Sequence, residues 1–215
     1  VELPLDICAM EVPEDALGYT SPTVSMSAPS KTDIQDAVKA LLAAARPMMW
    51  VGSGVLAAQA SAELTEFAEL TDIPVFTTME GKSAFDERHP LSLGAGSGAT
   101  TGPAWEWINE SDAVIGIGTS LSINSYTRQV PAGKTVIHNT INPADVNKDT
   151  PSDIGLIGDA KLTLSALIEE VKAQIGEGGR DTGVATNIAA AREVWMAEWS
   201  PILNSNEAPL NPYRV

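Results

Sequence analysis

Five short apolar runs constrain this chain more than any other feature. They are Met48-Met49-Trp50-Val51, Pro74-Val75-Phe76-Thr77, Ala113-Val114-Ile115-Gly116-Ile117, Thr135-Val136-Ile137-His138 and Ile154-Gly155-Leu156-Ile157. Each is too short for a helix and reads as a strand, and Met48–Val51, continuously apolar, reads as a strand buried on both faces. Helical stripes lie between most of them. Over Thr32–Ala45, residues Ile34, Val38, Leu41, Leu42 and Ala45 share one side, Thr32 with Gln35 forms a capping-box pattern, and Pro47 stops the helix. A second helix aligns Ala60, Leu64, Phe67 and Ala68, and a last one, capped by Asp159, aligns Leu164, Leu167, Ile168, Val171 and Ile175. No two-residue hairpin turn joins the runs, which implies right-handed crossovers. The expected fold is α/β, a Rossmann-like doubly wound parallel sheet with helices on both faces.

The flanks differ in composition. Val1–Ile7 reads as a strand, there is no initiator methionine, and Glu11–Ser30 is rich in Pro, Ser, Thr and Gly, as an interdomain linker requires. At the other end, Gly176–Gly183 is a glycine-rich charged break and Ser200–Val215 carries three prolines. The spacing therefore predicts a piece of something longer: residues 1–30 as the end of an upstream domain and a linker, 31–176 as the compact core, and 177–215 as a helix and linker leading onward.

Charge narrows function. With 28 acidic and 13 basic side chains the formal net charge is -15, and no basic run occurs, so phosphate backbones and anionic lipid are repelled and neither nucleic acid nor membrane is an expected partner. No apolar stretch approaches the ~20 residues of a membrane span, and no basic-then-apolar leader opens the chain, so a cytoplasmic protein is expected. Cys8 is the sole cysteine, and His89 and His138 stand far apart, which gives no metal-ligand cluster and no catalytic metal.

In a doubly wound sheet, ligands bind beyond the carboxyl ends of the strands, so the loops that follow them carry the chemistry. Gly52-Ser53-Gly54-Val55-Leu56-Ala57 satisfies a G-x-G-x-x-A pattern directly after a strand, where free amides of a helix start can meet a pyrophosphate. A tight turn with no ligand explains the glycines as well. The acid expected about 20 residues on for a ribose is absent; Thr77 and Thr78 stand there. Gly94-Ala95-Gly96-Ser97-Gly98 is long enough to lie under a ligand and reads equally as a solvent loop. Gly116 suits sheet packing, Gly118 and Thr119 a ligand. Asp159 is a helix cap by default, His138 a satisfied strand residue, and Trp195 with Trp199 a packing stripe at helical spacing.

These residues carry a resemblance. Arg46-Pro47 through Gly54, Ile73–Thr78, Ala84–Gly94, Val136–His138 with Ile141–Val146, and Gly158-Asp159-Ala160 resemble, in order and spacing, the central domain of thiamine-diphosphate-dependent enzymes of the acetolactate synthase type. Val1–Ile7 is similar to the last strand of that family's pyrimidine-binding domain, and Pro209–Val215 to the entry of its diphosphate-binding domain. The resemblance implies a non-catalytic central domain of a 2-oxo acid decarboxylase or carboligase, a spacer and assembly element. It also implies flanking coenzyme-binding domains on the same polypeptide and a homodimeric or homotetrameric parent. The family's catalytic glutamate would lie upstream of Val1 and its G-D-G motif downstream of Val215, so thiamine diphosphate and magnesium would belong to the parent and no catalytic residue to this chain.

Central domains of the family hold FAD, ADP or nothing. By position, Gly52, Ser53, Gly54, Thr77, Thr78, Met79, Gly118, Ile141, Asp159 and Ala160 would line a nucleotide site as cofactor-binding residues. Three segments depart from the flavin binders. Gly118–Asn124 replaces G-A-R-F-D-D-R and puts Ser120 where an arginine meets phosphates; Thr140 and Asn142 replace the acids of I-D-I-D-P; and Ala99-Thr100 replaces a His-Gly pair. Losing a charge-assisted phosphate contact and a ribose carboxylate removes roughly 1.5 to 3 kcal/mol each. These departures weigh against tight FAD, and an empty or weakly ADP-binding site stands beside it. Another class stays open: a stand-alone flavin- or NAD-binding domain of electron-transfer or deacylase type.

Overall fold

The computed structural model describes residue 2 and residues 4–214. Its six strands are β1 (Pro47–Val51), β2 (Val75–Thr78), β3 (Ser92–Gly96), β4 (Ala113–Ile117), β5 (Thr135–Thr140) and β6 (Ile154–Ile157). All pair in parallel, in the order β3-β2-β1-β4-β5-β6. Seven helices accompany them: α1 (Leu5–Cys8), α2 (Lys31–Ala43), α3 (Gly54–Ala57), α4 (Ser61–Thr71), α5 (Gly102–Glu110), α6 (Ala160–Ile175) and α7 (Val184–Leu203). This is the doubly wound arrangement that the apolar runs imply.

Side-chain alternation along the buried strands divides the core into two layers. Met49 and Val51 of β1, with Val75, Ile115, Ile117 and Ile137, pack against α2, α4 and α6 through Val38, Leu41, Phe67 and Leu164. Met48 and Trp50, with Phe76, Val114 and Val136, face Ala104, Trp107 and Ile108 of α5 and Ile188 of α7. All five residues of β1 are buried.

Four local expectations are corrected. A sixth strand, β3, runs through the glycine-rich stretch read as a loop. It is an edge strand paired only to β2 with an irregular register at Val75/Phe76, so it needs little apolar side-chain mass, and Leu93 alone supplies it. Leu5–Ile7 belongs to α1, a single helical turn rather than a strand; Val1 and Leu3 lie outside the described residues. The cap of α2 is Ser30, whose side chain accepts from the amide of Asp33, and not Thr32. The helix expected after Gly54 is broken in two, because Gln59 turns left-handed at φ 53° between α3 and α4.

α7 runs through Pro201 to Leu203. It is pinned to the core by Ile188, by Arg192 donating to the carbonyl of Ser92, and by Trp195, whose Cδ1 would lie 2.6 Å from a β-carbon at Gly102. The preceding break is anchored too: Arg180 Nε donates to Thr71 O at 2.7 Å, and the Thr182 hydroxyl donates to Asp72 at 2.7 Å. No described helix is long and apolar enough to cross a membrane.

Candidate functional site

The chain leaves β1 toward β2 and β3 on one side and returns to β4 on the other, so the loops after β1 and β4 diverge and open a crevice at the carboxyl edge of the sheet. The crevice is a cleft of about 520 Å³.

Its floor is made by two turns packed backbone to backbone. The amide of Gly52 donates to Ile117 O at 3.0 Å and that of Gly54 to Gly118 O at 2.8 Å. A β-carbon on Gly54 would come within 2.7 Å of Gly118 Cα and O, and one on Gly52 within 2.5 Å of Gly118 O. The glycines thus exist for the approach of the β1 turn to the β4 turn. Their amides are committed inside the protein, and the helix they introduce, α3, is one turn of four residues. Two of the amides that a pyrophosphate on this turn would use are thus taken by Ile117 O and Gly118 O.

The β4 turn is held by a buried polar knot on β5. Gly118 adopts φ +58°, the left-handed region that glycine enters without strain, and its amide donates to Asn139 Oδ1 at 3.2 Å. The Asn139 amide group donates in turn to Leu156 O, Gly158 O and Thr163 Oγ1 at 3.0–3.1 Å, so one fully buried side chain ties β4, β6 and α6 together. Beside it, His138 Nε2 donates to Thr119 O at 2.8 Å. Its Nδ1 is buried without a partner. A carbonyl only accepts, so the proton sits on Nε2. Burial pushes the His138 pKa down, against the pull of the Thr119 carbonyl and the Asp145 charge.

Nine of the ten residues expected to line a nucleotide site do line this cleft: Gly52, Ser53, Gly54, Thr78, Met79, Gly118, Ile141, Asp159 and Ala160. Thr77 does not; it is 3% exposed and points into the sheet layer with its hydroxyl unpartnered. Asp159 caps α6, accepting from the amides of Lys161 and Leu162 on one oxygen, while its own amide donates to Ser27 O at 2.8 Å. The segment before α2 therefore forms part of the wall, and Met26 lines it. Where the family acids are replaced, Thr140 Oγ1 and Asn142 Nδ2 both donate to Asp145 at 3.1 Å. Thus a carboxylate remains on this wall, supplied by another residue. Among the described residues no group of three His, Cys, Asp or Glu side chains could hold a metal ion.

The sequence reading missed Arg128, a basic side chain that lines the cleft. The signal was available: between Arg88 and Lys134 it is the sole basic residue. Its distance from Gly118, though, hid the fact that the loop after β4 folds back over the sheet edge.

Comparison with known proteins places the chain. Residues 34–167 match the family model described as thiamine pyrophosphate enzyme, central domain. The large subunit assigned as acetolactate synthase in Methanococcus aeolicus is 31% identical over 225 residues, covering 100% of this chain and 36% of the relative. Glyoxylate carboligase of Escherichia coli O157:H7 is 32% identical over 206 residues, covering 92% of this chain and 32% of the relative. The crystal structure of benzoylformate decarboxylase from Polynucleobacter necessarius superposes with a TM-score of 0.59 at 25% identity, covering 77% of this chain and 31% of that one. The chain thus spans about a third of the length of the curated relatives it matches. The reading as a stand-alone flavin- or NAD-binding domain of electron-transfer or deacylase type is not supported by these likenesses.

Proposed function

The chain belongs to the thiamine pyrophosphate enzyme family as its central domain, and from that premise we propose that it is the non-catalytic middle of a larger 2-oxo acid carboligase or decarboxylase. Residues 31–176 form the domain proper, residues 1–30 and 177–215 lead to flanking domains that hold the coenzyme, and the parent assembles in the cytoplasm as a homodimer or homotetramer. Thiamine diphosphate with magnesium, bound by those flanking domains, supplies carbanion chemistry at a 2-oxo acid carbon. This chain's residues set the spacing between the domains and shape the cleft. The observation that carries the reading is the match of residues 34–167 to the central segment of the family.

For the cleft, the proposal is a weakly held adenine nucleotide such as ADP and not tightly bound FAD. Ser120 in place of an arginine, and the internal commitment of the Gly52 and Gly54 amides, support the weaker mode. The protein should purify colourless. The direct test is a calorimetric titration of the 215-residue chain with thiamine diphosphate and magnesium, for which no binding is expected; micromolar affinity would overturn the assignment of the coenzyme site to the flanking domains.

A further inference from the structure

The loop between β4 and β5 reaches across the sheet edge to the end of β3 and is fastened there at both polar groups of one residue. Gly98 donates its amide to Tyr126 O at 3.1 Å, and its carbonyl accepts from Arg128 Nη2. The Arg128 guanidinium lies on the Trp105 ring, 4.3 Å from its centroid. Its Nε is buried with no hydrogen-bond partner, and it forms no ion pair with any described carboxylate. A guanidinium offers five donors in a fixed fork, and with one Nη2 donor on Gly98 O and Nε buried, the remaining Nη donors of this indole-stacked group are left for an anion.

The rest of the cleft leaves an anion one favourable place. The acids on its wall, Glu80, Asp145 and Asp159, repel it, and the Gly52 and Gly54 amides are taken by Ile117 O and Gly118 O. Ser97, Ser120 and Ser122 line the same cleft as Arg128, the Ser120 hydroxyl donating to that of Ser122 at 3.1 Å. Several acceptor oxygens on one group would satisfy both the fork and the hydroxyls, which is phosphate chemistry. We propose that Arg128, stacked on Trp105 and hinged at Gly98, is the anion-recognising residue of this cleft, and that the ligand presents a phosphate or diphosphate to it. The inference rests on the reading of the cleft as a ligand site and moves its anionic pole away from the Gly52–Gly54 turn.

Trp105 fluorescence under titration with inorganic pyrophosphate, ADP and adenosine tests it on the 215-residue chain. Pyrophosphate and ADP should change the signal saturably, and Arg128→Gln should weaken both by about tenfold or more while leaving adenosine unchanged. Arg128→Lys, which keeps the charge without the fork, should fall between; it carries the test if the Gln variant melts early. Equal pyrophosphate affinity in wild type and variants, or no pyrophosphate binding to the wild type, would overturn the proposal. Arg128-dependent pyrophosphate binding with no response to ADP or adenosine would keep the proposal and defeat the nucleotide reading instead.

Discussion

Two glycine-rich stretches meet the carboxyl edge of the sheet, and they do opposite work. Gly52–Gly54 has the form of a phosphate-binding fingerprint, yet the amides of Gly52 and Gly54 serve Ile117 and Gly118, and neither glycine has room for a β-carbon. Gly94–Gly98 has no motif, yet it ends an edge strand, leaves open space around Gly94 and Gly98, and holds the loop that carries Arg128. A glycine pattern marks a close backbone approach, and what does the approaching, a ligand or another turn, is set by the partner strand.

The sharpest way to break the comparison is to remove the knot on the Gly52–Gly54 side. Asn139→Leu strips the Gly118 amide and two carbonyls of a buried partner. We expect a melting temperature lower by about 6–12 °C, the shift that ~3 kcal/mol produces in a chain of this size. A variant that melts like wild type would show that the turn holds itself.

Next in size is a paired glycine scan. Gly54→Ala drives a methyl into the Gly118 backbone and should lose about 2 kcal/mol, whereas Gly98→Ala meets nothing within 4 Å and should stay within about 0.5 kcal/mol of wild type. Equal losses would erase the distinction. The smallest effect concerns His138. Because burial lowers its folded pKa below the ordinary value of 6.5, its neutral form supports the fold above that pH, and the support is lost as pH falls below it. Denaturant unfolding at pH 7 and pH 5 should show wild type losing more stability on acidification than His138→Gln, which lacks the titrating ring.

The layout of the fold was legible because β1, β2, β4 and β5 are largely buried and carry apolar runs, and because β6, although a half-buried edge strand, keeps Ile154, Leu156 and Ile157. β3 was not, since an edge strand of Ser, Leu, Gly and Ala carries no such run. Asp159 was legible as a cap because capping is local. The commitment of Gly54 to Gly118, and the arrival of Arg128 over Trp105, join segments far apart in sequence and depend on loop paths that periodicity does not encode. Asn139 and Asp145 were hidden for the same reason: each acts through strands or turns that the fold alone brings near.

The central claim is that the fingerprint turn serves the fold while recognition lies on the other side of the cleft. Backbone amide resonances followed during an ADP titration test it most directly. The account predicts that Gly98, Tyr126 and Trp105 shift while the amides of Gly52 and Gly54 stay in place. Large shifts at Gly52 and Gly54, with Gly98 unmoved, would contradict it.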